Sequence, residues 1–196
     1  MTKEEFACNE VCLFNLMLSL GISIDDNTKD TPRRLLKMWK ELFSSVNADV
    51  EEFKKTLTLF PAPSMQPVTV KDIPFHSTCA HHFMPFFGKA YIKYEPVEKI
   101  IGLSKIPRII NFCAKKPQVQ ENLTQEIGEM IVDVIKPLKV EVKLYDVTHT
   151  CMSCRGVESF AQTDTIWTYV DEDYYDEAFD NSWDDESIKQ FWRSYL

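Results

Sequence analysis

His-Ser-Thr-Cys-Ala-His-His-Phe-Met-Pro, residues 76–85, lies between two stretches that read as strands. On its N-terminal side Val68-Thr69-Val70 is β-branched, and the strand it opens is expected to end near Phe75. On its C-terminal side Gly88 to Tyr94 alternates, with Ala90, Ile92 and Tyr94 set against Lys89, Tyr91 and Lys93, the period of a half-buried strand. The stretch between is therefore a strand connection carrying one thiol and two imidazoles within four residues, Cys79, His81 and His82. Cys79 and His82 have a Cys-x-x-His spacing that lets both reach one ion, and thiolate with imidazole suits zinc. Two ligands do not hold zinc. Of the other thiols, Cys8, Cys12, Cys113, Cys151 and Cys154, only Cys151 and Cys154 sit in a second cluster of cysteine and histidine, His149-Thr150-Cys151-Met152-Ser153-Cys154, and Cys151 is the expected third ligand. Three protein ligands leave a tetrahedral position open, as at catalytic zinc. Buried cysteine is also an ordinary small hydrophobe, so spacing by itself leaves a reading without metal open.

Working outward, helix signals flank the strands. Phe6, Leu13, Phe14, Met17 and Leu20 recur at near-helical spacing and stop at Gly21. Asp30-Thr31-Pro32 reads as a capping side chain followed by a first-turn proline, opening a helix with Leu35, Met38, Trp39 and Leu42 on one face. Downstream of Tyr94 two more helices are expected, from Ser104, a capping-competent residue, to Ala114, and from Glu121 to Ile135 ahead of Pro137. Val140 to Val147 alternates as a third strand and Thr163 to Val170 reads as a fourth. The order is that of an α+β domain: N-terminal helices and a four-stranded antiparallel sheet, with two helices inserted between strands two and three. The chain divides into an N-terminal helical region (1–60), a catalytic domain (61–170) and an acidic tail (171–196). A sheet with two open edges tends to close them by assembly, so a ring-like homo-oligomer is expected.

Composition excludes several classes. No apolar run approaches the roughly 18 residues that cross a bilayer. The acidic start, Met1-Thr2-Lys3-Glu4-Glu5, is unlike a secretory leader, and six cysteines without one read as reduced thiols and ligands, so a cytoplasmic setting is expected. The net charge of −8 is local: residues 171–196 hold nine of 30 acidic and two of 22 basic residues, leaving 21 against 20 elsewhere. A nearly neutral body lacks a broad basic face for nucleic acid, yet can still shape a basic pocket for a small anion.

Several motifs together resemble GTP cyclohydrolase I of the tunnelling-fold superfamily, over about residues 28–168. Asp30-Thr31-Pro32 with Arg34 is similar to D-T-P-x-R, Cys79-Ala80-His81-His82 to C-E-H-H, and Gly102-Leu103-Ser104-Lys105 with Arg108 to G-L-S-K-x-x-R. Gln118-Val119-Gln120-Glu121 with Leu123-Thr124 resembles Q-V-Q-E-x-L-T, and His149-Thr150-Cys151-Met152 with Arg155-Gly156 resembles H-x-C-M-x-x-R-G. The pattern departs at Ala80, where the family carries glutamate, and after Thr168.

The resemblance implies a tunnelling fold and conversion of GTP and water to formate and 7,8-dihydroneopterin triphosphate, at sites between subunits of a homodecamer. It implies Zn2+ on Cys79, His82 and Cys151, activating water for attack on C8 of guanine. His81 and His149 would transfer protons, with Ser104 and Gln120 assisting. Arg34, Lys37, Ser104, Lys105, Arg108 and Arg155 would hold the triphosphate and ribose, and Glu121 with Gln120 would read the base. Two other readings use the same residues: another purine or pterin enzyme of this fold, such as a nitrile reductase, and a non-catalytic purine-nucleotide binder.

Overall fold

The computed structural model describes residues 2–171. The expected acidic tail lies outside the described residues, apart from Asp171. Three helices come first, α1 (Lys3–Ser19), α2 (Thr31–Leu42) and α3 (Val50–Lys55), followed by strands β1 (Leu59–Pro61), β2 (Val68–Cys79), β3 (Pro85–Glu95) and β4 (Lys99–Ile101). A 3₁₀ turn at Leu103–Lys105 leads into α4 (Ile106–Ala114), β5 (Pro117–Gln118) and α5 (Gln120–Ile135). The described chain closes with β6 (Lys139–His149), α6 (Thr150–Ser153) and β7 (Gln162–Val170). The main sheet has the order β5-β2-β3-β6-β7, antiparallel except for β5 against β2, while β1 and β4 form a separate antiparallel pair. This is the expected α+β architecture, with α4 and α5 falling between β3 and β6. The strand count grows by one in the main sheet because two residues, Pro117 and Gln118, pair with Thr78 and Cys79.

The alternation read from the sequence sets the core. Ala90, Ile92 and Tyr94 on β3 and Val140, Val142 and Leu144 on β6 are buried together, and against them pack Ile109 and Ile110 from α4 and Leu123, Ile127 and Ile131 from α5. Burying each such aliphatic side chain contributes about 1.5–3 kcal/mol, which is what seats the short α4. Gly128 is required where α5 crosses β7, because a Cβ there would lie 2.0 Å from the Trp167 ring.

Several local expectations are corrected. β2 does not end near Phe75 but continues to Cys79, since His76, Ser77 and Thr78 pair with Phe87, Phe86 and Pro85 and the Ser77 hydroxyl donates to the Ala114 carbonyl at 2.8 Å. Ser77 and Thr78 look polar in sequence but are buried where the strand pairs with β3. Asp30 precedes α2 without capping it: its backbone is already near-helical (φ −96°, ψ 2°), and its carboxylate faces Arg34 at 3.7 Å instead. Ser104 caps nothing, because the 3₁₀ turn occupies its position and α4 starts at Ile106. Caps form instead at α1, where Thr2 and Glu5 exchange bonds of 3.1 and 2.7 Å as a capping box, and at α3, where the Asp49 carboxylate accepts from the Glu51 and Glu52 N–H groups at 2.9 and 3.1 Å.

Candidate metal centre and adjoining cleft

The register of the sheet brings three chain segments to one end of the domain. β2 delivers Cys79 at its last residue, β6 delivers His149 at its last residue, and α6 follows at once with Cys151. Between Cys79 and β3 the chain turns tightly: Cys79 N–H donates to Met84 at 2.8 Å, Phe83 N–H donates back to Cys79 at 2.9 Å, and Phe83 takes φ 53°. Thr150 donates its hydroxyl to the Pro85 carbonyl at 2.6 Å, tying α6 to the same turn. On the other side Ala80 N–H donates to the Gln118 carbonyl at 2.9 Å, which anchors the turn to the start of α5.

The consequence is convergence of Cys79, His82 and Cys151, whose ligand atoms all lie within 4.8 Å of one another. Cys79 Sγ is 3.9 Å from His82 Nδ1 and 3.8 Å from His81 Nδ1. Cys154 is exposed, its sulfur near Ser153, and it does not join the group. Burial pushes the Cys151 thiol up and the Cys79 thiol beside it adds to that, while Arg155 opposes both. Two thiols in one half-buried place resist ionising together unless a cation joins them, and a soft donor pair plus imidazole is the set that fits zinc. Arg155 also places Nη1 2.6 Å from His82 Nε2.

Beside this group opens a cleft of about 310 Å³ lined by Cys79, His81, Gln120, Glu121, His149 and Cys151 among others. His149 stacks on Phe86, with centroids 4.8 Å apart and planes 13° from parallel, and its Nε2 lies 2.7 Å from Gln120 Oε1. Burial lowers the His149 pKa below that of a free imidazole, with the Glu121 carboxylate opposing the shift. Glu121 stands exposed in the first turn of α5, where the macrodipole favours an anion, with its carboxylate open to a ligand.

Of the residues singled out from sequence, Cys79, His81, His82, Gln120, Glu121, His149, Cys151 and Arg155 are gathered here. Arg34, Lys37, Ser104, Lys105 and Arg108 are not among the residues lining the cleft. Gln118 and Val119 also line the cleft and belong to the Gln118–Glu121 motif, where neither is assigned a role; three further lining residues, Thr163, Asp164 and Thr165, carry no motif in the sequence. Gln118 is buried and donates to Glu126 at 2.7 Å and to the Cys113 carbonyl at 3.1 Å. The β7 residues arrive by pairing with β6, Thr165 opposite Leu144 and Thr163 opposite Val147.

Comparison with known proteins shows which family the chain is similar to. The sequence model of the family described as GTP cyclohydrolase I matches residues 11–182. The chain is 36% identical over 173 residues to a GTP cyclohydrolase 1 of Streptococcus agalactiae serotype Ia, covering 87% of this chain and 90% of the relative. It is 43% identical over 134 residues to one from Hydrogenobaculum sp., covering 68% and 70%, and 45% identical over 129 residues to one from Bacillus subtilis, covering 65% and 66%.

Proposed function

Because the chain belongs to the GTP cyclohydrolase I family, we propose that it converts GTP and water to formate and 7,8-dihydroneopterin triphosphate, with zinc held by Cys79, His82 and Cys151. The observation that carries this reading is the meeting of that ligand group with His81, Gln120, Glu121 and His149 in one cleft. Cys79, His82 and Cys151 would hold the zinc, which would supply Lewis acidity and a water-derived nucleophile near neutral pH. Glu121 accepts from guanine N1–H and from the exocyclic amine, orienting C8 toward the metal group. His149, kept neutral by burial, accepts a proton from the reacting water or ring, and His81, exposed at the mouth, exchanges protons with solvent. Arg155 holds triphosphate oxygens.

Arg34, Lys37, Ser104, Lys105 and Arg108 complete the triphosphate and ribose site from a neighbouring chain in a homodecamer. Support for assembly comes from large apolar side chains exposed near these segments and near the metal group: Leu103 beside Ser104, and Val157 and Phe160 after Arg155. Among the described residues no helix is long and apolar enough to cross a membrane.

The test is direct. Zinc-replete protein incubated with GTP should release formate and a product that fluoresces after oxidation to the neopterin level. Absence of GTP turnover by protein containing stoichiometric zinc would leave the binder reading as the better one.

Ala80 gives a second expectation. Its side chain is exposed and its N–H is already spent on Gln118, so a longer side chain is tolerated. A carboxylate there would favour nearby imidazolium and raise the pKa that sets the acid limb, which in the wild type is held low at His149 by burial. Ala80→Glu should therefore move the acid limb of the pH–rate profile to higher pH, with a rate change of about tenfold or less and unchanged zinc content. An acid limb that stays in place in Ala80→Glu contradicts the assignment.

A further inference from the structure

The cleft contains a closed set of hydroxyl and amide contacts whose proton count has only one solution. Thr124 donates its hydroxyl to the Gln120 backbone carbonyl at 2.8 Å. A hydroxyl has a single proton, so the 2.6 Å contact between Thr124 and Thr165 must be donated by Thr165. With that proton committed, Thr165 Oγ1 meets the Gln120 side chain, 3.1 Å away, as an acceptor, and the group facing it must be the amide NH2. The amide oxygen is thereby turned to the opposite side, where it accepts from the Thr163 hydroxyl at 2.6 Å and sits 2.7 Å from His149 Nε2. An amide oxygen only accepts, so His149 carries its proton on Nε2, and a neutral imidazole then presents a bare Nδ1. Gln120 and Thr124 are 3% and 1% exposed, so water does not compete for these partners. Phe86 holds the ring plane by stacking.

We propose that Thr124 and Thr165 are positioning residues that, through the Gln120 amide, hold His149 as the Nε2–H tautomer with Nδ1 as its proton acceptor. The inference deepens the proposed role of His149 and rests on it for its catalytic consequence. Without the Thr165 hydroxyl, the Gln120 amide nitrogen keeps only the Thr163 carbonyl at 3.4 Å, and the amide is free to turn over. A turned amide offers N–H to His149 Nε2, which moves the imidazole proton to Nδ1 and removes the base from the position it needs.

The test combines spectra and kinetics on the whole chain. With only four histidines, protein labelled with ¹⁵N-histidine gives few signals in magic-angle-spinning NMR, and His149→Asn identifies the one of interest. The wild type should show His149 protonated at Nε2, Thr165→Ser should match it, and Thr165→Val should shift population to the Nδ1–H form. In parallel, Thr165→Val should lower kcat for GTP by about ten- to a hundredfold with KM changed by less than about threefold, and Thr165→Ser should recover most of the rate. A wild-type Nδ1–H signal overturns the proposal, and so does an unchanged tautomer in Thr165→Val or a serine variant as slow as valine. Should the valine variant not fold, the wild-type spectrum still decides the tautomer. A chain that never turns over GTP fails the functional reading alone, because the tautomer is read without substrate.

Discussion

Cys151→Ala is expected to purify with far less than one zinc per chain and to lose GTP turnover by at least about a hundredfold, while Cys154→Ala keeps both. The expectation follows from convergence: Cys151 Sγ is one of three ligand atoms within 4.8 Å, whereas Cys154 is exposed and its sulfur contacts Ser153. Losing one of three protein ligands leaves a pair that does not retain zinc, and the effect should exceed the 10–100-fold typical of an outer-shell partner. Elemental analysis after purification without chelator gives the metal content, and the fluorescence assay gives the rate. Stoichiometric zinc in Cys151→Ala, or its loss in Cys154→Ala, would move the third ligand elsewhere. Circular dichroism separates this outcome from unfolding, since α6 is only one turn and its loss barely alters the helical signal.

The metal group was legible because its chemistry is local. Cys79 and His82 lie within one turn of chain, and Cys151 lies in the second cluster of cysteine and histidine, so spacing pointed to these three as a group while leaving a reading without metal open. The core was legible for a related reason: Val140, Val142 and Leu144 alternate in sequence because they alternate across a pleat. What escaped depends on pairing between distant segments. Thr163 and Thr165 read as ordinary β-branched strand residues, and only the register of β7 on β6 sets them beside Gln120. β1, β4 and β5 are three or two residues long, too short for any period to register, and α3 is six. Bulges also interrupt the alternation: β6 slips between Leu144 and Val147 with Asp146 at φ 54°, and β2 between Val70 and Ile73 with Asp72 at φ 58°. Each bulge re-aims the strand that then reaches the site, so the sequence period fails where the cleft is being shaped.

Glu121 should make the chain discriminate GTP from ATP by on the order of 10⁴-fold in kcat/KM, the range reached when a site is built to pair with polar groups that a competitor lacks. Its carboxylate is an acceptor at both oxygens, and guanine offers donors at N1–H and the 2-amino group. Adenine offers a lone pair at N1 and no 2-amino group, so its approach would set lone pair against anion and leave one carboxylate oxygen unpaired beneath the bound base. Glu121 lines that cleft from the first turn of α5, and no hydrogen bond to another described residue occupies its side chain. Glu121→Gln keeps shape while exchanging one acceptor for a donor, a pattern that pairs better with adenine than a carboxylate does. The variant should lose about 10–100-fold in kcat/KM for GTP, the worth of a charge-assisted hydrogen bond, and its GTP-to-ATP ratio should narrow by a larger factor. Zinc content should not change, because Glu121 is not part of the ligand group. Its removal should also lower the His149 pKa further, since the carboxylate is the influence opposing burial there. The acid limb of the pH–rate profile should then move to lower pH, opposite to the shift expected of Ala80→Glu. Steady-state kinetics with both nucleotides across pH measures all of this at once. Equal ATP and GTP turnover in the wild type, or an unaltered ratio in Glu121→Gln, would take base recognition away from this carboxylate and place it on another residue of the cleft.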